Sequence, residues 1–362
     1  MIEDWLIRVI RCPQCLGELR LSVEERDGEQ IRRASLHCAE CSHAFAIVEE
    51  MALFGVKKSA AALRHQEMDA EFRWNFEMHS VEEHLSYARG TFRMAEEAIR
   101  RLATVLRPPA RVLDVGAGCG YHSWQLAKHG YQAVASELEP EGLAYGDACF
   151  QSGVRFERIV TDCSLLPLAD GSFDAVFCKE LAHHVEDLPG LFRELRRVLK
   201  TNGILVLIEP CSPRRPGFQL PPDPAREAGL THQDYGFYDY AGALEKEGFR
   251  IVEFRPYRDP VNPGRSRILH FVDAAFVRLF GLQGWSGWRA LKKWRTQMLG
   301  GEVSLLARKS KAVAPGAARD REVEVLSPTR LEDYREAIDR MRQNVPAFLE
   351  MLEEVSAERE IG

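Results

Sequence analysis

The sequence predicts an α/β fold: a doubly wound, mainly parallel sheet, preceded by a small β-rich region and followed by a helical tail. Two observations predict the main sheet. Strand patterns alternate with helix patterns from residue 111 to 255, and a glycine-rich turn follows the first of these strands. Two cysteine pairs predict the small region. We place its boundary at 1–58, followed by 59–310 for the main domain and 311–362 for a linker and helix.

The first elements are short hairpins and one long helix. The runs "GELRLSVEE" and "RASLHCAE" alternate as hairpin strands do. Within the helical entry segment 59–107, Ser80 and Glu83 form a capping-box signature, and Pro108 and Pro109 end the helix. Its apolar residues follow at helical spacing: Val81, Leu85, Ala88, Phe92, Ala95, Ile99 and Leu102.

The main domain should contain seven strands covered by helices on both faces. The predicted strands are 111–115, 131–137, 154–160, 173–178, 203–209, 250–255 and 302–308, and the helices are 121–129, 140–150, 187–200 and 238–247. Two longer connections, 211–236 and 256–301, interrupt this alternation. A tail helix should begin at Ser327 and Pro328, with an apolar face of Leu331, Tyr334, Ile338 and Met341.

Composition excludes several classes of protein. The net charge of -6 argues against broad, nonspecific nucleic-acid binding, although a local basic face stays open. No signal peptide begins the chain, and no run of about 18 apolar residues predicts a transmembrane helix. Nine cysteines, an odd number, favour a reducing compartment over a disulfide framework. We therefore expect a cytoplasmic location.

The glycine-rich turn "DVGAGCGY" predicts a nucleotide-binding site. Gly116, Gly118 and Gly120 follow a strand that ends near Asp114, where strand ends and a helix N-terminus converge. A loop that binds a dinucleotide has the pattern G-x-G-x-x-G. Gly116 and Gly118 match its first two glycines, but Tyr121 stands in place of the last one. The second strand ends at Glu137, where a carboxylate can accept hydrogen bonds from both ribose hydroxyls.

With the later run "TDCSLLPLADGSFDAVFCKELAHHVED", this turn resembles the core of the class I S-adenosylmethionine-dependent methyltransferases, which are Rossmann-like, over residues 105–255. The resemblance implies that the three glycines and Asp114 approach the methionine and ribose parts of S-adenosylmethionine and that Glu137 binds the ribose. It further implies that Asp162 accepts from the adenine amine. Beside the cofactor it places Leu138, Cys163 and Lys179, the last where this family often has a small residue.

The pairs "CPQC" and "CAEC" predict a structural metal site. Cys12, Cys15, Cys38 and Cys41 form two C-x-x-C knuckles, which together can present four thiolates to one ion. Zinc is the expected metal, with an iron centre or no metal as alternatives. The surrounding run resembles the small zinc-ribbon protein that activates tRNA and protein methyltransferases, and bacterial methyltransferases with a fused ribbon.

The sequence does not identify the catalytic residues. Methyl transfer needs a general base only when the acceptor must lose a proton. His183 and His184 are candidates after the fourth strand, although a structural role for them is the other interpretation. Weaker candidates are Glu180, His122, His232 and Tyr235.

The acceptor is expected to be a small or lipid-linked metabolite. The segment 256–301 places Trp285, Trp288 and Trp294 near Lys292 and Lys293, as in helices packed on a sheet edge or lying at a membrane surface. With 211–236 it should form a lid over an apolar acceptor pocket. The alternatives are an RNA methyltransferase that uses the ribbon to bind RNA, and a noncatalytic scaffold that binds S-adenosylmethionine.

Overall fold

The computed structural model describes residues 2–28, 30–54, 81–214, 233–257 and 300–310, with separate positions within 292–298 and 331–339. It begins with helix α1 (Asp4–Val9) and strands β1 (Leu19–Asp27), β2 (Gln30–Cys38), β3 (Ala44–Val48) and β4 (Met51–Leu53). The strands β1 to β4 pair antiparallel in chain order. The predicted hairpins are confirmed.

The predicted long helix is α2 (Val81–Val105). The remaining strands are β5 (Arg111–Val115), β6 (Gln132–Glu137), β7 (Glu157–Val160), β8 (Phe173–Lys179), β9 (Leu199–Cys211), β10 (Phe249–Tyr257) and β11 (Gly301–Lys309). Between them lie α3 (Tyr121–Lys128), α4 (Pro140–Ala144), α5 (Gly146–Phe150), α6 (Leu188–Val198) and α7 (Phe237–Lys246). The helix predicted at 140–150 is thus divided in two at Tyr145.

The strands β5 to β11 have the order β7-β6-β5-β8-β9-β11-β10. The strands β5 to β9 run parallel, while β11 lies antiparallel between β9 and β10. Apolar side chains alternate between two clusters: Leu113 and Val115 of β5 belong to one, and Val112 belongs to the other. The second cluster also takes in Phe92 of α2 and Ile338 of the tail. This is the predicted doubly wound, mainly parallel sheet.

The predicted count of seven strands is wrong, because the sheet in the described residues has eleven. The physical reason lies at β4, which pairs parallel with β7 and thereby joins β1 to β4 to the main sheet. Met51 faces Arg158 and Leu53 faces Val160, and the Phe54 N–H donates to the Val160 carbonyl at 2.9 Å. Sequence patterns indicate a strand but not the distant strand with which it pairs. The predicted sheet therefore contained only the strands of the main domain.

A second contact joins the cysteine-rich region to the main domain at α1. The Arg11 N–H donates to the Pro167 carbonyl at 2.8 Å, and the Ala169 N–H donates to the Val9 carbonyl at 2.8 Å. One buried apolar cluster contains residues of both regions, among them Trp5, Leu6, Leu36, Leu166, Leu168 and Phe173. The two regions therefore share a core as well as a sheet. The predicted boundary at residue 58 falls outside the described residues.

No helix within the described ranges is long and apolar enough to cross a membrane. The centres of both predicted lid segments, with Trp285 and Trp288, lie outside the described residues. Trp294 is described and is 52% exposed. In the tail, Leu331 and Ile338 are partly and fully buried in one apolar cluster, as predicted, while Tyr334 and Met341 are not described.

Candidate functional site

The glycine turn after β5 has three residues with left-handed backbone. The φ angles are 73° at Gly116, 54° at Gly118 and 76° at Gly120, a region that side chains disfavour. A Cβ atom at Gly116 would lie 3.0 Å from the Leu181 Cβ, and one at Gly120 would lie 2.6 Å from the Phe156 ring. A Cβ at Gly118 would meet nothing within 4 Å. Gly118 is therefore the position of the turn that faces open space.

The turn is supported from behind by a glycine that sequence reasoning missed. A Cβ atom at Gly142 of α4 would lie 2.7 Å from the Gly118 carbonyl oxygen, so only glycine permits this contact. The run "EPEG", in which a proline opens a short helix directly after β6, was the available signal. Gly142 fixes the position of the loop rather than facing a ligand.

Glu137 ends β6 and holds the turn through its side chain. Its Oε2 accepts the Gly118 N–H at 2.8 Å, and its Oε1 accepts the Leu138 N–H at 2.7 Å. The residue is 7% exposed. Since each carboxylate oxygen has two lone pairs, both oxygens keep capacity to accept from ligand hydroxyls.

Asp114 lies inside the sheet edge and is 1% exposed. Burial, with the nearby Glu137 charge, raises the pKa of its carboxyl to about 7, although Ser123 donates a hydrogen bond at 2.7 Å that favours the carboxylate. Ser123 belongs to α3, so this bond ties the strand to the helix that the glycine turn opens. Through this bond Asp114 helps to fix the conformation of the glycine turn.

Asp162 and Cys163 follow β7 at the same edge. The Asp162 Oδ1 accepts the Ser164 N–H at 2.7 Å, and its carbonyl accepts the Leu165 N–H at 3.1 Å. Burial raises the pKa of the Cys163 thiol, as expected for an inert side chain beside an apolar surface. Since β5, β6 and β7 are parallel neighbours, Asp114, Glu137 and Asp162 all lie at carboxyl ends of the sheet.

Lys179 ends β8 and is paired locally. Its Nζ lies 2.8 Å from the Glu180 Oε1, and only 3% of its side chain is exposed. Glu180 has a φ of 51°, an uncommon value for a residue with a side chain. Backbone of this kind at a strand end is typical of functional sites. The charge of Lys179 is therefore balanced by the Glu180 carboxylate.

Three of the candidate bases have different surroundings. The His183 Nδ1 lies 2.8 Å from the Glu209 Oε2. Burial, with the charge of Lys179, lowers the pKa of His122 well below its ordinary value, so that ring is neutral. The Tyr235 hydroxyl donates to the carbonyls of Val185 and Glu186, both at 3.0 Å. Of the other candidates, His184 and Glu180 lie in the same connection after β8, and His232 is outside the described residues.

Glu209 is a second residue that sequence reasoning missed. It lies near the end of β9, and its side chain is fully buried. The run "ILVLIEP" was the signal, because a carboxylate that closes a buried apolar strand needs donors around it. In the structure those donors come from the turn that carries His183.

The four predicted cysteine ligands form one cluster. The sulfur atoms of Cys12, Cys15, Cys38 and Cys41 all lie within 4.8 Å of one another. The Cys12 Sγ lies 3.5 Å from that of Cys41, and the Cys15 Sγ lies 3.4 Å from that of Cys38. The residues after the two knuckles, Leu16 and Ser42, have matching φ angles of 61° and 60°.

This donor set fits a tetrahedral metal ion. With Zn–S bonds of about 2.3 Å, the edges of a tetrahedron of sulfurs measure about 3.8 Å, close to the separations observed. At Cys38 burial opposes the thiolate, but the N–H groups of Cys41 and Glu40 donate to the sulfur, so its pKa falls to about 7. Four cysteines complete the coordination shell and leave no position for a reacting ligand.

The central part of the chain matches the model of one known family. Residues 113–207 match the model of a family described as "Methyltransferase domain". This part of the chain is similar to the methyltransferase domains of that family. It contains the glycine turn, the three carboxylates and His183, while Glu209 and the cysteine cluster lie outside the match.

Curated relatives are similar to this chain over part of its length. The chain is 31% identical over 114 residues to the uncharacterized methyltransferase YcgJ of Bacillus subtilis, covering 30% of this chain and 44% of the relative. It is 38% identical over 107 residues to a ubiquinone biosynthesis O-methyltransferase of Xanthomonas campestris, covering 29% and 45%. The match therefore spans less than half the length of either relative.

A solved structure is similar over more of the chain. The 1,6-didemethyltoxoflavin-N1-methyltransferase of Burkholderia thailandensis shares 16% identity with a TM-score of 0.47, covering 76% of this chain and 99% of that one.

Proposed function

We propose that the protein is an S-adenosylmethionine-dependent methyltransferase that acts on a small-molecule or lipid-linked acceptor. One observation carries the proposal: in the region that matches the methyltransferase family, Glu137 and Asp162 lie at the carboxyl ends of neighbouring strands, and Glu137 accepts the N–H of Gly118, the glycine whose Cβ position is open. Two curated relatives, a ubiquinone biosynthesis O-methyltransferase and a 2-methyl-6-phytyl-1,4-hydroquinone methyltransferase, support a small-molecule acceptor.

The described residues fit S-adenosylmethionine. Glu137 would accept from the ribose hydroxyls with the lone pairs that Gly118 and Leu138 leave unused. Asp162 would accept from the adenine amine, with Leu138 and Cys163 beside the ring. The open face of Gly118 gives room for the methionine end, and Gly116, Gly120 and Asp114 shape the turn that presents it.

Bound S-adenosylmethionine supplies a methyl group on a sulfonium. The residues of this chain would hold it and place the acceptor in line with the carbon–sulfur bond, because alignment supplies much of the acceleration in such displacements. The Lys179–Glu180 pair adds no net charge near the cationic sulfur. The pairing therefore offsets the repulsion that a lysine cation would exert on the sulfonium.

The acceptor pocket would be closed by the two lid segments, 211–236 and 256–301. The described ends of both segments support this placement. The Gln233 N–H donates to the His183 carbonyl at 2.7 Å, and the Arg214 N–H donates to the Gln297 carbonyl at 2.7 Å. The first segment thus begins beside the end of the second segment and ends beside the connection after β8. A peripheral membrane contact through the tryptophans of 256–301 remains part of this proposal, as an alternative to packing on the sheet.

The cysteine cluster would hold one structural zinc ion. Its place in the shared sheet supports a role in stabilising the fold rather than in chemistry. The joining of β1 to β4 to the main sheet argues against the RNA alternative, because these strands do not form a separate module that could bind nucleic acid independently. A noncatalytic scaffold would show the same cofactor site and would differ only in turnover.

Two measurements test the proposal. Calorimetry should show binding of S-adenosylmethionine and none of NAD; binding of NAD alone would overturn the assignment. Labelled S-adenosylmethionine should transfer its methyl group to a component of a small-molecule cell extract. Trp288→Ala should impair this transfer far more than cofactor binding. Transfer only to RNA, or to nothing, would favour one of the alternatives.

A further inference from the structure

The ammonium group of Lys179 is buried with hydrogen-bond donors to spare. Only 3% of its side chain is exposed, and its Nζ lies 2.8 Å from the Glu180 Oε1. In the described part of the chain, no second oxygen accepts from this Nζ. An ammonium group has three N–H donors, and a buried cation with too few acceptors is costly. The remaining donors of Lys179 are therefore left for a ligand.

The register of the strands places Lys179 beside the glycine turn. In the parallel pair of β5 and β8, Val115 lies opposite Cys178. The next residue of β5's chain is Gly116, the first glycine of the turn, and the next residue of β8 is Lys179. The two residues are thus neighbours at the carboxyl edge of the sheet.

The side chain of Lys179 lies on the same face of the sheet as Asp114. Val112 and Phe177 belong to one apolar cluster, and the side chains of a strand alternate between faces, so the residues two positions after them share that face. The charges agree with this placement. Burial raises the pKa of Asp114 to about 7, and the charge of Lys179 opposes that rise. With burial, the same charge lowers the pKa of His122. The Nζ therefore lies among residues of the glycine turn and its helix.

Glu180 gives the pair a second, more accessible charge. Its side chain is 26% exposed, compared with 3% for Lys179. Its backbone has a φ of 51°, and its N–H donates to the Ile208 carbonyl of β9 at 2.9 Å, which holds this uncommon conformation in place. The connection after β8 thus presents a deep cation and a shallower carboxylate side by side.

These two charges are complementary to an α-amino acid group. Such a group has a carboxylate and an ammonium on the same carbon, and the methionine part of S-adenosylmethionine ends in one. The carboxylate would accept from the remaining donors of Lys179, and the ammonium would donate to Glu180. Both contacts join ionised groups, which form the stronger class of hydrogen bond.

We infer that Lys179 and Glu180 bind the amino acid end of S-adenosylmethionine, Lys179 its carboxylate and Glu180 its ammonium, an inference that rests on the proposed function. The charges of that end sum to zero, as do those of the two residues, so the sulfonium meets no uncompensated cation. The pair also determines specificity, because a nucleoside without an amino acid end leaves the buried donors unused.

Three adenine nucleosides that differ at this end separate the two contacts. S-adenosylhomocysteine has both charged groups, its decarboxylated analogue has the ammonium alone, and methylthioadenosine has neither. Titration calorimetry of the metal-loaded full chain should give affinities that fall in this order. Each lost contact between ionised groups should lower the affinity by roughly 10–100-fold.

Variants assign each contact to its residue. Lys179→Met should lower the affinity for S-adenosylhomocysteine by roughly 10–100-fold without lowering that for the decarboxylated analogue. Glu180→Gln should lower the affinity for both ligands that have an ammonium. Retained binding of methylthioadenosine shows that each variant is folded. The matched control is Lys200→Met, because Lys200 pairs with Asp174 at 2.8 Å but is 43% exposed and lies near the amino end of β9.

The wild type alone can overturn the inference, whether or not the variants fold. Equal affinity for S-adenosylhomocysteine and its decarboxylated analogue overturns the role of Lys179, and equal affinity for that analogue and methylthioadenosine overturns the role of Glu180. An unchanged affinity of folded Lys179→Met for S-adenosylhomocysteine also overturns the role of Lys179. If the wild type binds none of the three nucleosides, the proposed function itself is refuted, and the inference with it.

Discussion

Arg158 of β7 donates from Nη2 to the Glu49 carbonyl at 2.9 Å, across the seam where the cysteine-rich strands join the main sheet. Its Nη1 donates to the Leu143 carbonyl at 3.0 Å and to the Asp147 carboxylate at 2.9 Å. The side chain is 1% exposed. One buried cation therefore links the cysteine-rich region to the helices beside the glycine turn.

We expect Arg158→Met to lower the free energy of unfolding by about 3–5 kcal/mol, because it removes the donor of the Glu49 and Leu143 carbonyls and breaks a largely buried ion pair with Asp147. Urea denaturation measures the change. The control is Arg155→Met: Arg155 pairs with Glu50 but is 41% exposed, so its loss should cost no more than about 1 kcal/mol. Equal effects of the two variants would show that the seam depends little on Arg158.

Metal removal should affect the whole chain. We expect elemental analysis to find one zinc ion per chain, and Cys38→Ser to release it. Because the cysteine-rich strands share a sheet and a core with the main domain, denaturation of Cys38→Ser should show one transition at lower denaturant. A separate early transition confined to the first strands, with the rest unchanged, would contradict this coupling. So would a zinc-free wild-type protein purified without chelators.

Glu137→Ala should weaken S-adenosylmethionine binding by roughly 2–3 kcal/mol, since the ribose loses a charged acceptor and the turn loses its bond to Gly118. Asp162→Ala should cost about 1–2 kcal/mol, for one such bond to adenine. Titration calorimetry gives both values. Asp170→Ala, at a 73% exposed position paired with Arg197, serves as the control. An affinity unchanged by Glu137→Ala would remove the ribose assignment.

Asp114→Asn should change how stability depends on pH. Burial raises the Asp114 pKa to about 7 from an ordinary value of 3.8, so the folded state binds more protons than the unfolded state between these values. The contribution of Asp114 therefore becomes less favourable as pH rises from about 4 to about 7. Asn has no such charge and keeps an oxygen to accept from Ser123. The free energy of unfolding of the variant minus that of the wild type should therefore be greater at pH 8 than at pH 5. An equal difference at both pH values would contradict the raised pKa of Asp114.

Much of the fold follows from periodicity. The strand predicted at 111–115 is β5 residue for residue, and the long helix, the hairpins and the glycine turn lie where they were expected. These features depend on local patterns of apolar, capping and glycine residues. The strand predicted at 154–160 begins only at Glu157, and the one predicted at 203–209 extends over Leu199–Cys211, because boundaries depend on the pairing partner.

The parts that could not be predicted are contacts between distant residues. The alternation in "AIVEEMALF" indicates strands, but only the folded chain brings Leu53 to Val160. Likewise, "IEP" and "HHV" give no spacing that joins Glu209 to His183, because that bond depends on β8 and β9 being neighbours. The carboxylates of Asp114, Glu137 and Asp162 were easier to locate from the sequence, because each lies at the end of a strand whose position in the sheet order is regular.

The parallel pairing of β4 with β7 imposes an order on synthesis. The first strands leave the ribosome long before Val160 exists, so β4 emerges with an unpaired edge that its own hairpins cannot cover. Unpaired edges of this kind recruit other chains. The edge of β4 therefore stays exposed until the middle of the chain is made, and early capture of metal by the cysteines would hold the first strands in a defined shape during that time.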